Sequence, residues 1–330
     1  DLPKLLVRAK SRDEAAEKFI ANYLLSYQVN GRLHASINQY KTEEGSGTRT
    51  YRFSYDSPPM QQMPSRDEEM SADVRGCFLP DEGEYWAKCD YSQQEYRLFV
   101  HFAELTAMNT KHLVNLEAVK AAADQYRANP KTDYHQLVAD MTGLARKPAK
   151  DCNFAKLYGA GGKKFASMIG KSLDDAMKIM NTYDGKFPFA KQMYELSQQR
   201  AQRTGKIKLL DGAVCHFDWW DIRHDSWRER KQYEDMHPFI KDCRYEEAHR
   251  RTEDPSHPWY RRDLIRSRCS KALNSLIQGS AARQTKSAMR DCWRAGYVPL
   301  LQVHDELDFS VESESKLAHI VELMQNTVPL

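Results

Sequence analysis

Apolar and polar positions follow two different rhythms along this chain, and the rhythm changes at identifiable places. Near the N-terminus Ala15, Phe19, Ile20, Tyr23 and Leu24 recur at helical spacing, which predicts that residues 1–29 are largely helix. From Arg32 to about Phe53 the pattern breaks into strand-like pieces around a polar loop, Lys41 to Gly47. Tyr85-Trp86-Ala87-Lys88-Cys89 combines aromatic and small residues as a partly buried strand does, and Asp90 follows it. The chain then turns directly into a predicted helix whose buried stripe is Leu98, Phe99, Phe102 and Leu105, with Ser92 and Glu95 reading as its capping box. Near the other end, Leu300-Leu301-Gln302-Val303 and Leu307-Asp308-Phe309-Ser310-Val311 flank Asp305 as two strands flank a hairpin tip.

One predicted helix carries more than a packing pattern. Arg146, Lys150, Phe154 and Tyr158 recur every four residues and form a slowly drifting stripe. Pro148 suits the first turn, and Gly159-Ala160-Gly161-Gly162 supplies a stop. Two cations therefore sit at the positive end of the helix dipole, where a polyphosphate is favoured, and two aromatics lie farther along where a base could stack. An amphipathic helix with a solvated basic end and two core aromatics would give the same stripe. The glycine run follows the helix and lacks the Gly-Lys-Ser/Thr ending, so it reads as punctuation and not as a phosphate-binding loop.

Composition narrows the picture only a little. A length of 330 residues sets a prior of about two domains with sizeable cores. The formal charge of +3 gives no whole-molecule basic footprint, but Arg244 to Arg290 holds 11 Lys/Arg against 5 Asp/Glu, a stretch suited to phosphate contacts. Seven cysteines without C-x-x-C spacing point to reduced thiols in an intracellular protein. Cys215, His216, His224, His249 and His257 form no zinc pattern. No apolar run is long enough to span a membrane, and no signal peptide is visible. Residues 216–262, with Trp219, Trp220, Trp227 and Trp259 among many charges, match no motif and read as a satellite core, an elaboration of the helical domain before them or a partner surface.

Asp90 and Asp305 carry the chemistry. Each stands at the end of a strand-like run, far from the other in sequence. Two carboxylates brought within a few ångströms repel, so either one takes a proton or a multivalent cation lies between them. Phosphoryl transfer gives a reason for the cation, because two divalent ions about 3.5–4 Å apart activate an attacking oxygen and stabilise a leaving one. Carboxylates with no adjacent Cys or paired His favour Mg²⁺ over zinc.

These segments together carry a resemblance. Asp90-Tyr91-Ser92-Gln93-Gln94-Glu95-Tyr96-Arg97 resembles the D-Y-S-Q-I-E-L-R motif of family A DNA polymerases, the DNA polymerase I group. Val303-His304-Asp305-Glu306 resembles the same family's V-H-D-E, and Arg146-x3-Lys150-x3-Phe154-x3-Tyr158-Gly159 its fingers-helix motif, all in the family's order. Thr50 to Arg66 resembles its T-G-R-L-S-S-x-x-P-N-L-Q-N-I-P-x-R segment, with Tyr51 in place of the usual Gly and Pro59 in place of Asn. Asn274 to Ala282 resembles its N-A-P-M-Q-G-T-A-A helix, although Ser270 stands where the family has Arg. Asp133-Tyr134-His135 resembles its D-x-H element, and the short step from His135 to Arg146 is closest to the replicative polymerases of short-tailed phages.

The resemblance implies an α+β, right-hand polymerase fold: an antiparallel palm sheet with a mainly helical fingers domain inserted. It implies the end of a thumb at 1–29, palm at 30–100, fingers at 101–262 and the second part of the palm at 263–330. The implied activity is template-directed addition of dNTPs to a primer 3′ end with two Mg²⁺ ions. By the same resemblance Asp90 and Asp305 bridge the metals with the Tyr91 carbonyl as a further ligand, and Glu306 supports them. Gln93, Glu95, His135, Arg146, Lys150, Phe154 and Tyr158 are implied to contact the dNTP, Glu95 as the gate against a ribose 2′-hydroxyl. Arg52, Gln61, Asn274, Gln278 and His304 are implied to contact primer–template DNA. A processivity factor or other replication protein is an implied partner, and the cytoplasm of a bacterial or phage-infected cell the implied setting. Single-subunit RNA polymerases match less well, since they resemble H-D-S at the last motif and lack the Glu gate. A primer–template binder without chemistry fits poorly with intact Asp90 and Asp305. The chain starts at Asp1 and stops at Val328-Pro329-Leu330, where the family begins its final palm strand, which reads as a fragment.

Overall fold

The computed structural model describes residues 10–41, 45, 47–64, 67–110, 115–129 and 131–328. Arg66 and part of the polar loop lie outside them. The first helix, α1 (Ala16–Leu25), is wound as a π-helix, with Ser26 N–H donating to the Ala21 carbonyl. Two short antiparallel pairs follow, β1 (Gln28–Val29) with β2 (Arg32–Leu33) and β3 (Ser36–Asn38) with β4 (Ser54–Asp56). Next come α2 (Glu68–Arg75) and β5 (Tyr85–Asp90). A run of helices comprises α3 (Gln94–Asn109), α4 (Leu116–Ala128), α5 (Tyr134–Thr142), α6 (Arg146–Leu157), α7 (Gly162–Ile169), α8 (Leu173–Lys186) and α9 (Pro188–Thr204). Antiparallel β6 (Lys206–Lys208) and β7 (Val214–His216) precede β8 (Trp220–Ile222), α10 (Trp227–Met236), α11 (Tyr245–Glu253) and β9 (Leu264–Arg266), β9 pairing back onto β8. The chain continues through α12 (Ala272–Arg294), β10 (Leu301–Val303), β11 (Glu306–Val311) and α13 (Glu314–Asn326).

Many helix starts are fixed by side chains that accept a backbone N–H otherwise left without a partner. Asp67, Asn115, Asp133, Ser172, Ser226 and Ser313 each do this. Such a cap stabilises its helix by about 0.5–2 kcal/mol.

The chain divides into two compact units, residues 1–94 with 278–330, and residues 95–277. The first is organised around the sheet β10-β11-β5, all antiparallel. On one face Ala87, Cys89, Leu307, Phe309 and Val311 pack with Ala288, Cys292, Ile320 and Met324 from α12 and α13. The alternation of strand side chains puts Lys88, Asp90, Glu306 and Asp308 on the opposite face. A second cluster joins Leu24, Met60, Met63 and Val74, with Phe19, Ile20 and Tyr23 of α1 against it.

The second unit is helical apart from two small antiparallel pairs. Tyr96, Phe99, Tyr134, Tyr183 and Phe189, none more than 1% exposed, make an aromatic centre for it. On α3 the buried side chains include Leu98, Phe99, Val100 and Ala103, whereas Leu105, expected in the stripe, is 43% exposed. The helix is covered on more than one side, so a single stripe does not capture its burial. The Trp-rich stretch does form a satellite core, of Ile222, Cys243, Ala248 and Trp259 with Trp220, Tyr233, Ile240 and Leu264 packed on it.

Candidate active site

Within the first unit the strand register brings Asp90 and Asp305 to the same end of one sheet. Glu306 pairs with Asp90, and the ladder runs on through Leu307–Cys89 and Asp308–Lys88. Beyond the ladder the Tyr91 N–H donates to the Asp305 carbonyl at 3.4 Å. Asp305 lies in the turn between β10 and β11, beside His304 with φ +58°. That conformation is uncommon for a residue with a Cβ, and a two-residue turn of this hand requires it.

The turn is also held from below. Gln302, 3% exposed, donates from Nε2 to the His304 carbonyl at 2.5 Å, and Gln61 Nε2 donates to Gln302 Oε1 at 3.2 Å. Gln61, expected at DNA, thus also ties the segment around Met60–Gln62 to the turn that holds Asp305. Upstream of that segment Tyr51, which stands where the resembling motif has Gly, takes φ +60°, a left-handed conformation uncommon for a residue with a Cβ. The Arg283 guanidinium lies 5.8 Å from the Tyr51 ring, and Lys286 Nζ lies 4.2 Å from the Phe53 ring. Burial, aided by Arg283, pushes the Lys286 ammonium down to about 8.

Negative charge on this face is concentrated. Lys88 Nζ lies 3.9 Å from Glu306 Oε1. Asp308, one step along the strand and 2% exposed, has an Oδ1 with no hydrogen-bond partner. Burial, with the Glu306 charge added, pushes its carboxyl up to about 6, against the opposing effects of Lys88 and a Trp86 hydrogen bond. Sequence reasoning passed over Asp308; the available signal was a lone carboxylate at a mid-strand position between Leu307 and Phe309.

Where the chain leaves β5, Gln93 takes φ +52° and α3 starts at Gln94. Gln94 is buried and its Nε2 reaches Ala281 O, Gln284 Oε1 and Thr285 Oγ1 at 3.1–3.3 Å, clamping this turn to α12. Tyr91, next to Asp90, donates its hydroxyl to the Met324 carbonyl at 2.6 Å.

The second unit contains the helix with the period-four stripe, α6. Arg146 and Lys150 are exposed at its start, and Phe154 and Tyr158 are half-buried. The Phe154 and Tyr158 rings stack at 5.8 Å with 17° between planes, and Lys150 Nζ lies 5.8 Å from the Phe154 ring. Arg146 Nε donates to Asp133 Oδ2 at 2.7 Å, while Asp133 Oδ1 caps α5 through His135 N and Gln136 N. Burial raises the Asp133 carboxyl, but those bonds and the Arg146 charge outweigh it and hold the group below its ordinary range.

His135 is 3% exposed, packs 5.8 Å from the Phe154 ring and meets Asn153 Nδ2 through Nδ1 at 2.7 Å. Burial, reinforced by Lys150 and Arg146 against Asp133, pushes its imidazole down to about 4. It is therefore neutral at pH 7 and can offer a phosphate an N–H but no charge. Asn153, not singled out from sequence, is fully buried with its Oδ1 lacking a partner.

The Tyr158 hydroxyl donates to the Glu95 carboxylate. This long-range bond is a role for Glu95 that the capping-box reading did not contain. α6 ends at Leu157, and Gly159 follows with φ +67°. A Cβ at Gly159 would fall 2.5 Å from the Tyr194 ring, so the glycine is needed for space as well as for backbone hand. Asn274 and Gln278 both lie on α12 at four-residue spacing, and the Asn274 Oδ1 is buried without a partner.

Among the described residues no cluster of three or more His, Cys, Asp or Glu side chains is arranged to hold a metal. What the first unit offers is a set of hard oxygens, from Asp90, Asp305, Glu306 and the Tyr91 carbonyl, at one sheet end. That donor chemistry fits Mg²⁺ and does not fit zinc. No described helix is long and apolar enough to cross a membrane.

Comparison with known proteins agrees with this arrangement. The model of DNA polymerase family A matches residues 1–329. A DNA-directed DNA polymerase of Pseudomonas phage M6 is 33% identical over 366 residues, covering 99% of this chain and 48% of that protein. DNA polymerase I of Geobacillus stearothermophilus is 28% identical over 315 residues, covering 92% of this chain and 30% of that protein. Among solved structures, the POL domain of Pol1 from M. smegmatis in complex with DNA primer-template and dNTP aligns with a TM-score of 0.67 and 25% identity, over 97% of this chain and 49% of that one. The chain thus spans about half the length, or less, of these relatives.

Proposed function

Since the chain belongs to DNA polymerase family A, whose model matches residues 1–329, we propose that it performs template-directed DNA synthesis, joining a primer 3′-hydroxyl to the α-phosphate of a dNTP with release of pyrophosphate. The observation that carries the reading is the register Glu306–Asp90 together with the bond from Tyr91 N–H to the Asp305 carbonyl, which gathers the carboxylates at one sheet end.

Family A polymerases use divalent metal, and in this chain Asp90, Asp305 and the Tyr91 carbonyl would hold two Mg²⁺ ions, with Glu306 in support. When bound, such ions lower the pKa of the attacking hydroxyl and neutralise charge on the leaving pyrophosphate. The remaining steps belong to side chains. Arg146 and Lys150, at the positive end of α6, hold the triphosphate, and Arg146 exchanges Asp133 for a phosphate oxygen to do so. His135 donates an N–H beside them, and Gln93 lines the nucleotide. Phe154 meets the sugar and Tyr158 the base, while Glu95, oriented by the Tyr158 hydroxyl, excludes a ribose 2′-hydroxyl. Arg52, Gln61, Asn274 and Gln278 read the primer–template minor groove, and His304 contacts the primer-end phosphate.

In this reading residues 30–100 and 263–330 act as palm, 101–262 as fingers and 1–29 as the end of a thumb. Primer extension by the purified chain with Mg²⁺, supplied separately with dNTPs and rNTPs, tests the proposal. Template-dependent extension with dNTPs alone is expected; extension with rNTPs alone, or binding of primer–template without extension, would overturn it.

A further inference from the structure

The first unit contains a cavity that none of the roles above uses. It has a volume of about 300 Å³ and lies between the open face of the β10-β11-β5 sheet and the chain from Met60 to Phe78. Trp86, Leu301, Val303 and Asp308 form its floor, since the cross-strand pairs Leu301–Asp308 and Asp308–Lys88 hold them on the face opposite the α12 and α13 packing. Met60, Met63 and Phe78 wall it on the other side. The carboxylates assigned to metal, Asp90, Asp305 and Glu306, do not line it.

Asp308 makes this hollow selective. A cavity lined by aliphatic and aromatic side chains alone stays dry and accepts any apolar guest of the right size. Here a carboxylate only 2% exposed contributes to the lining, and its Oδ1 has no hydrogen-bond partner. A buried acceptor left unsatisfied is costly, so a guest that donates to it gains what a purely apolar guest cannot. The charges nearby set the kind of donor. Lys88, with Nζ 3.9 Å from Glu306 Oε1, and Arg75, whose Nε donates to the Pro64 carbonyl at 2.9 Å, both line the cavity, so positive charge is already present around it. A further cation would be repelled by these two groups, and an anion by the carboxylate. A neutral N–H donor escapes both, and it avoids the larger cost of burying a charge. The walls set the shape: Phe78 and Trp86 suit a flat ring, and Met60 and Met63 suit its edge through sulfur. A cavity of about 150 Å³ holds benzene, so a volume twice as large takes two fused rings.

We propose that this cavity is a binding site for a neutral, planar, two-ring N–H donor, the chemistry of indole, with its N–H on Asp308 Oδ1 and its rings among Trp86, Phe78 and the two methionines. The site stands apart from the polymerase reading, since it concerns binding and not the reaction.

The test uses indole as the probe and benzofuran, the same shape with an oxygen in place of the N–H, as its control. Calorimetric titration of the full chain is expected to show saturable binding of indole and at least about tenfold weaker binding of benzofuran, the loss that one hydrogen bond to a charged acceptor carries. With the methionine methyl groups isotopically labelled, indole should shift the Met60 and Met63 resonances and leave that of Met193, in the second unit, in place. Asp308→Leu, which removes the acceptor and keeps the side chain's size, should bind the two probes alike. Ala72→Trp, at an exposed position of α2 that lines the cavity, should exclude both, and it keeps the site testable if the leucine variant does not fold. Equal affinity of the wild type for the two probes overturns the proposal, as does an indole preference that survives in Asp308→Leu or in Ala72→Trp. Movement of the Met193 resonance in place of Met60 and Met63 would put the guest elsewhere and overturn it. Tighter binding of tryptamine than of indole would overturn it as well, since the site would then be selecting a cation.

Discussion

On the β5–β11 sheet, charged groups are delivered by strands: Asp90, Glu306 and Asp308 share one face because register and pleat put them there. On α6 they are delivered by one helix, where spacing alone aligns Arg146 and Lys150. The two regions meet the problem of concentrated charge differently. The sheet gathers like charges, and Asp308 responds by holding its proton up to about 6. The helix gathers cations, one of which is matched by Asp133, while buried His135 responds by giving up its proton down to about 4. A like-charged carboxylate face is suited to waiting for divalent cations, and a cationic helix start to waiting for a polyphosphate.

The sharpest way to break this contrast is to remove a carboxylate. Asp90→Asn or Asp305→Asn should lower Mg²⁺-dependent primer extension by about a thousandfold or more, the scale of several kcal/mol of lost transition-state stabilisation, while primer–template affinity changes little. Single-turnover extension beside equilibrium binding would decide, and a variant extending at the wild-type rate would remove these residues from the metal site.

The opposed titrations come next. Asp308 has a folded pKa raised from 3.8 to about 6, so the stability it contributes is present below 3.8 and lost as pH rises through about 6. For His135, lowered from 6.5 to about 4, stability is present above 6.5 and lost as pH falls towards about 4. Asp308→Asn should therefore raise stability at neutral pH by up to about 3 kcal/mol, and His135→Gln should flatten the acid limb, which spans a similar energy. Urea melts in EDTA across this range measure both. Equal stability of wild type and Asp308→Asn at neutral pH would show that the sheet face does not carry the charge strain assigned to it.

A smaller effect probes the proposed contact of Phe154 with the nucleotide sugar. Phe154→Tyr supplies a hydroxyl where a dideoxynucleotide lacks its own, and a hydrogen bond of that kind is worth about 1–3 kcal/mol. The wild type should discriminate against ddNTPs, and the variant should relax that discrimination roughly ten- to a hundredfold in single-nucleotide competition. Identical discrimination by the two would place Phe154 away from the sugar.

Smallest is the bond from Tyr158 to Glu95. Tyr158→Phe removes a hydrogen bond worth about 0.5–1.5 kcal/mol and should raise the rNTP to dNTP incorporation ratio by roughly two- to tenfold. Glu95→Ala should raise it further, and adding Tyr158→Phe to that variant should change nothing more if the hydroxyl acts through the carboxylate. An additive double variant would separate the two residues.

Much of this was legible before the fold. The α6 stripe, its glycine stop and the hairpin around Asp305 all depend on neighbours within a turn or a strand, and a sequence displays those directly. The caps at Asp67, Asn115 and Ser172 belong to the same class, since each acts on a backbone N–H three residues away. The segment with Tyr51 shows the limit of such reading: a Tyr where the motif has Gly leaves the backbone open on paper, and only the folded chain places it at φ +60°.

By itself, then, the sequence determined which residues are candidates for chemistry and on what kind of element each sits, because motif identity and periodicity are local properties of the chain. Tertiary structure decided what those residues experience. The pairing of Glu306 with Asp90, the burial that raises Asp308 and neutralises His135, the support of the His304 turn by Gln302 and Gln61, and the bond from Tyr158 to Glu95 join segments far apart in the chain. Each depends on desolvation and on register between distant strands and helices, and neither quantity exists until the chain has closed on itself.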